Sequence, residues 1–509
     1  MRTSDLIKRS TVISVILFVL SVFLTSSGYA KSGEIYSIFE PDRGKDVSEN
    51  PTWQFESRSG TWEYLTQSGD TLEVVAARFQ VGLNDIDLNL NPKIPVDQLL
   101  DPGHILYIRR PNLESPLVTR LLPDSEVVYS PSTINFSIQD YVTGAGGFLS
   151  SYQEYMRSTG PTPAAEIIER VAIENSIHPR LLLALLEYQC GCLTGALDEG
   201  VDPENLMEIQ DPLRRGLYRQ LGWTVNQLSL GYYGWRQGLL HNLVLIDGSI
   251  VPLPPDLNAG SAAVAYLFSQ LADREGWYRT VEVEQGFIRM HQDLFPESWY
   301  PGYEVRELFP PGLFQPEMVL PFEVNREWSF TSGPHPAWET EGATAALDFA
   351  PASERFGCEP SPAWVLAAAD GLVVRSAHNA LVLDLDGDGH EGTGWALLYM
   401  HLADFQSAAE GTYLERGEPV GHPSCEGGPA DGTHVHLARK FNGEWIAAGG
   451  PLPFVMSGWV VQDGYRPFDG SLVRGERVVR ANPLSPATAF ISRSTEDARR
   501  EARVSRDLW

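Results

Sequence analysis

Two histidines at i and i+2 inside an apolar alternation, in the stretch GTHVHLARKF (432–441), constrain this chain more than any other feature. Successive strand side chains alternate faces, so His434 and His436 point one way while Val435 and Leu437 point the other. The run WALLYMHL (395–402) alternates likewise, and its period places Tyr399 and His401 together on one face. A third fragment, GPHPAWETEGATAALDFAP (333–351), adds His335 and Asp348. A single histidine is usually a hydrogen-bonded core or surface residue. Four of them with an aspartate on predicted strands, in a chain with 11 histidines among 509 residues, call for another explanation. Imidazole with carboxylate suits zinc, and a catalytic zinc keeps three protein ligands and one open position. Two spare histidines beside such a set could move protons and hold developing negative charge.

In these fragments the chain resembles the lysostaphin/LasA-type zinc endopeptidases, which cut peptide bonds in peptidoglycan. The resemblance spans roughly residues 328–445. Its strongest piece is HVH at 434–436, with YMHL about thirty residues earlier. The stretch VLAAADGLVVRSA (365–377) is similar to the family's first core strands, and LERGEPVGH (414–422) to the hairpin before the His-x-His. Most members space the first ligand pair as H-x-x-x-D. Here the position four before Asp348 is Thr344, and His335 resembles the wide spacing of the LasA-like branch. The resemblance implies that His335, Asp348 and His436 bind Zn2+. It implies that His401 and His434 are the catalytic pair, one polarising or deprotonating the attacking water and one stabilising the tetrahedral oxyanion. If His335 were not a ligand, the same fold would be a non-catalytic peptidoglycan-binding or amidase-activating protein.

The whole chain reads as a multidomain α+β protein. Residues 1–30 have the form of a signal peptide, with Lys8 and Arg9 before the apolar run 11–24 and small residues Gly28 and Ala30 at the cleavage point. The run is short for a membrane span, and no later stretch is long and apolar enough to be one. A secreted, cell-wall-associated protein without a stable membrane span after signal cleavage is therefore expected. A net charge of −28 argues against nucleic acid and against anionic lipid as partners. Residues 31–58 are a polar linker. Residues 60–111 resemble a LysM module of βααβ order, through GDTL, the Asn91-Pro92 region and the ending from Leu100 to Ile108. Such modules bind N-acetylglucosamine-containing glycans, which implies contacts by Gly69, Asp70, Thr71, Asn91 and Pro92. Asp70 or Thr71 can cap the helix that follows.

From 160 to 305 the period is helical, with a break at His178-Pro179, further helices over 214–240 and 259–277, and Asn258 as a cap. This all-α middle domain weakly resembles the lysozyme-type lytic transglycosylases, and Glu187 sits where they carry a general acid. That makes a glycan lyase acting through Glu187 the rival enzyme. A metallopeptidase domain of duplicated β-hairpins is expected over 320–480 and a flexible tail over 492–509. Four cysteines in an exported chain should pair where geometry allows. Cys358 and Cys425 flank the metallopeptidase core from two loops and are expected to form a disulfide. Cys190 and Cys192 are open to being free thiols or a labile vicinal pair. The run DLDGDGHEGTG (384–394) begins like a calcium loop, but its twelfth position is Trp395, and a plain hairpin turn is the favoured reading.

Overall fold

Alternating and helical segments separate along the chain much as the hydrophobic periods dictate. The computed structural model describes residues 61–507 apart from 88–95, 110–119, 198, 210, 300–306, 339 and 353–356. The signal peptide and linker of residues 1–58 lie outside the described residues, as do Asn91 and Pro92.

The first unit is a three-stranded antiparallel sheet of Thr61–Leu65, Ile86–Asp87 and Ile105–Arg109, with the last strand in the middle. Helix α1 (Leu72–Arg78) buries Leu72, Val75 and Ala76 in one core with Phe79, Tyr64, Leu106 and Ile108. Thr71 caps it, its hydroxyl accepting from the Val74 amide at 3.1 Å. The βααβ order is not what forms over the described residues. After α1 come a single 3-10 turn, Leu83–Asp85, and a short strand. The sequence Ile86-Asp87-Leu88-Asn89 alternates with period two, so Ile86 and Asp87 pair with the sheet instead of coiling.

The middle of the chain supplies α2 (Ile138–Ala145), α3 (Ala164–Asn175), α4 (Pro179–Cys190), α5 (Leu217–Arg236), α6 (Ala259–Ser269), α7 (Arg274–Val281) and α8 (Phe287–Leu294). His178 caps α4 by accepting from the Arg180 amide, and Pro179 fills the first helical position, where its missing N–H costs nothing. Residues Leu181 to Leu186 are all buried, so α4 is apolar all round and lies at the centre. The break expected at His178-Pro179 is where α3 and α4 part. The periodic stretch 259–277 is instead two helices, because Asp273 accepts from the Gly276 amide and starts α7. Asn258 stands at the N-cap of α6, but its side chain donates to the Leu122 carbonyl instead of capping. Gly231 of α5 lies so close to α6 that a Cβ would collide with Ala263 and Tyr266. Cys190 and Cys192 are joined.

The third part is built on a nine-stranded antiparallel sheet. In order its strands are Tyr413–Leu414, Gly371–Ala377, Ala380–Asp384, Trp395–Met400, Val435–Phe441, Ala346–Pro351, Glu327–His335 and Phe490–Ser492, with Glu444–Trp445 added on Val435–Phe441. One face buries Leu347, Phe349, Leu381, Leu397, Tyr399, Val435 and Leu437 in the domain's own core. The other face carries Ala346, Val382, Leu398, Met400 and Ala438, which belong to the core of the helical part. A four-stranded sheet follows, Val455–Met456, Trp459–Asp463, Gly470–Arg474 and Arg477–Arg480. The stretch expected to be a flexible tail forms α9 (Thr495–Asp507). Asp497 and Glu501 are buried and pair with Arg474 and Arg493, which fixes the helix to the sheet domain. Among the described residues no helix is long and apolar enough to cross a membrane.

Candidate metal centre

The strand register brings the expected carboxylate and imidazoles together. His436 on Val435–Phe441 pairs directly with Asp348 on Ala346–Pro351, so both side chains leave the same face. His335 reaches that face through a bulge. Ser332 pairs with Asp348, but His335 pairs with Ala346, one residue out of step. A regular register would set His335 opposite Ala345 and turn its ring to the other side. The slip explains how a histidine thirteen residues before Asp348 joins the cluster. His401 also departs from regular alternation. It follows the strand Trp395–Met400 with a left-handed φ of 60°. Tyr399, expected on its face, goes into the opposite core, where its hydroxyl accepts from the Ala368 amide at 2.8 Å.

His335 Nε2, His436 Nδ1 and Asp348 Oδ1 converge, at 3.0 Å between the two nitrogens and 3.3 and 3.2 Å from them to the oxygen. His434 Nε2 is 3.7 Å from the same oxygen. The His401 and His434 rings lie 4.5 Å apart, and His401 is 6.1 Å from His436. The second nitrogen of each ring meets a backbone carbonyl: His335 Nδ1 at Gly333, His401 Nδ1 at Glu426, His434 Nδ1 at Gly432 and His436 Nε2 at Ala337, at 2.7 to 2.9 Å. A carbonyl only accepts, so each of these nitrogens carries the proton, and the inward nitrogens of neutral rings present lone pairs. Two lone pairs 3.0 Å apart beside a carboxylate repel unless something positive lies between them. Asp348 Oδ1 is buried without a hydrogen-bond donor, the mark of an atom waiting for a cation. The donor set is therefore one that fits a metal ion, and its imidazoles donate their far N–H to carbonyls as metal-bound imidazoles usually do.

Burial, reinforced by His434 and His436, holds His401 down at about 4, so its ring is neutral at ordinary pH. Burial also lowers His436. For Asp348 burial opposes ionisation, but His335 and the other histidines outweigh it and keep the carboxyl well below its usual range. His335 is raised because Asp348 outweighs its burial. The disulfide Cys358–Cys425 closes beside the centre. Next to it, the Ser424 amide donates to the His401 carbonyl and the His434 amide to the Ser424 carbonyl, so the staple holds the segment on which two histidines depend.

Residues 120–309 match the family described as the LasA N-terminal domain. Over 357 residues the chain is 25% identical to protease LasA of Pseudomonas aeruginosa strain PAO1, covering 66% of this chain and 78% of that protein. Protease LasA of strain UCBPP-PA14 is 26% identical over the same shares. These matches make the chain similar to protease LasA. Among solved structures, the deep-sea M23 metalloprotease pseudoalterin is 23% identical, with a TM-score of 0.28 over 33% of this chain and 96% of that one. The catalytic domain of lysostaphin from Staphylococcus simulans is 21% identical, with a TM-score of 0.18 over 24% and 90%.

The other sequence-derived sites lie elsewhere and are engaged within the fold. Asp70 is fully buried and accepts from the Tyr64 hydroxyl at 2.6 Å and the Gln67 amide at 2.8 Å, and it pairs with Arg78. Thr71 caps α1, and Gly69 lies against the Arg236 side chain. The first unit is held to the helical part by its neighbours instead, Gln67 donating to the Leu257 carbonyl and the Ser68 carbonyl accepting from Arg236, and Gly69 and Thr71 border a cavity of about 750 Å³ shared with Tyr233, Phe309 and Trp445. Glu187 is buried, and its carboxylate accepts from the Leu193 amide at 2.7 Å, the Thr194 amide at 3.2 Å and the Thr194 hydroxyl. That places it at the end of α4 as a cap for the following loop. Asp384 accepts from the Asp386 and Gly389 amides, as in a turn. The carbonyls of Gly333, Ala337, Glu426 and Gly432, which orient the rings, had no signal in the sequence because any residue supplies a carbonyl.

Proposed function

We propose that this protein is a zinc endopeptidase that hydrolyses peptide bonds in the stem or cross-bridge of peptidoglycan. The observation that carries the proposal is the convergence of His335, Asp348 and His436, each imidazole locked by a carbonyl on its far nitrogen. These three residues would hold the ion, which supplies Lewis acidity at the scissile carbonyl and acidifies water. The Glu426 carbonyl fixes the Nδ1–H tautomer of His401, which leaves Nε2 open to accept a proton from the attacking water. His434, with the most exposed side chain of the four histidines, stands beside it on the approach to the centre and faces the oxyanion that develops. Water adds across the C–N bond, leaving a carboxylate on one fragment and an amine on the other. The site itself specifies only a peptide carbonyl; peptidoglycan as substrate is supported by the likeness to protease LasA and by the sequence resemblance, and export and wall association are read from the sequence.

Purified peptidoglycan incubated with the protein should gain new free amino termini, and a chelator should stop the reaction. His401→Ala should retain the metal and lose activity. Release of anhydro-muramyl sugars without new amino termini would reject the endopeptidase and move the chemistry to the helical part.

A further inference from the structure

One face of the His335 ring is covered from outside the sheet that carries the centre. The loop joining Trp459–Asp463 to Gly470–Arg474 comes back to the strand Glu327–His335 and places Phe468 on the imidazole, with ring centroids 4.8 Å apart and planes 17° from parallel. Phe468 is 54% exposed, so it is not there to fill a core. Its φ is +73°, a left-handed conformation that bulky side chains seldom adopt and that persists only where the surroundings impose it. The imposing contacts are two backbone hydrogen bonds to the ligand's own strand. The Gly333 amide donates to the Phe468 carbonyl at 2.8 Å, and the Phe468 amide donates to the Pro334 carbonyl at 2.9 Å. Gly333 permits the approach, since a Cβ there would collide with the Asp469 carbonyl, and Gly464 and Gly470 close the loop in the same crowded space. Gly333 is thus held at both of its backbone polar groups, its N–H donating and its carbonyl accepting. Its N–H is held by Phe468, and the Gly333 carbonyl receives the His335 Nδ1 proton at 2.8 Å.

We propose that Phe468 is a positioning residue for the metal ligand His335. The ring blocks rotation of the imidazole while the loop backbone fixes the carbonyl that sets its tautomer. This rests on the reading of His335 as a ligand and adds a residue outside the 328–445 stretch where the family resemblance lies. Phe468, a half-exposed aromatic in a strained loop, stacks on a histidine that a bulge displaces from a regular strand position.

The test is the Zn2+ affinity of the full-length protein, measured at equilibrium by competition with a chromogenic chelator, for wild type, Phe468→Ala, Phe468→Tyr and Phe314→Ala. Phe314 is a 74% exposed aromatic used as the control. Loss of a residue that orients a ligand weakens metal binding about 10- to 100-fold. Phe468→Ala should therefore bind zinc at least about 10-fold more weakly, with an unchanged far-ultraviolet circular dichroism spectrum. Its peptidase activity should return when zinc is added in excess. Phe468→Tyr and Phe314→Ala should bind zinc as wild type does. Wild-type zinc affinity in Phe468→Ala overturns the proposal, whether or not activity falls, since activity lost at full metal affinity makes Phe468 a substrate contact. An equal loss in Phe468→Tyr also overturns it. Failure of the wild type to bind zinc rejects the metal reading itself and is seen separately, in the first sample.

Discussion

At the scale of single residues, the side chains that would hold the ion are distinct from those that would move protons. His401→Ala and His434→Ala should each lower kcat by about 10²- to 10⁴-fold while zinc remains bound, the range expected for loss of a positioned acid or base. Asp348→Asn should lose the ion as well, because the two imidazole nitrogens 3.0 Å apart then face a neutral amide. Steady-state kinetics with zinc determination on the same samples checks both. The five residues were legible in the sequence because their chemistry is in the side chains. Two features around them were not. Alternation predicted Tyr399 and His401 on one face, and the left-handed φ of His401 breaks that rule at the strand end. Phe468 lies 32 residues beyond His436 in a loop with no periodic signal, and only the fold brings it to His335.

Elements explain where these residues stand. The bulge between Ser332 and His335 is a one-residue register slip, invisible in a pattern that otherwise reads as an extended run of mixed residues. Period-two and helical segments were recovered well where they are long and apolar, as at α4 and Val435–Phe441. They were misjudged where they are short, as at Ile86–Asp87, or strongly polar, as at α9, whose burial depends on Arg474 and Arg493. In α8, burial holds His291 at about 3, with Arg180 adding to the effect. A histidine depressed from 6.5 stabilises the fold fully above pH 6.5 and loses that contribution as pH falls toward 3, a ceiling of about 5 kcal/mol. His291→Gln should therefore flatten the fall of the unfolding midpoint between pH 6.5 and 4, measured by urea titration, even if it is less stable at pH 7. An equally steep fall would assign the acid sensitivity to other groups. The disulfide Cys358–Cys425 closes a loop of 67 positions, and Cys358→Ser with Cys425→Ser should cost about 2–4 kcal/mol in the same assay.

On the scale of the whole molecule, the helical part and the first unit are joined to the sheet domain through Arg236. Its buried guanidinium bonds Glu444 at 2.8 Å and Asp124 at 2.9 Å and also donates to the Ser68 carbonyl, so it touches all three parts. Tyr232 adds its hydroxyl to Glu444 at 2.8 Å. Removing one partner of a buried ion pair leaves the other uncompensated, and Arg236→Met should cost about 3–5 kcal/mol. Arg236→Met with Glu444→Gln should recover part of that loss, which denaturant unfolding will show. The order of the parts was readable from periodicity and composition. Their packing was not, because the core that joins the helices to Ala346, Leu398 and Ala438 uses small apolar residues that look alike in any sheet.

Whether His335, Asp348 and His436 form one zinc site is decided by elemental analysis of the purified protein beside His335→Ala. The wild type should hold one zinc per chain, lost in the variant together with wall-lytic activity. No zinc in the wild type after reconstitution with excess metal would contradict it and leave a peptidoglycan-binding protein without a metal.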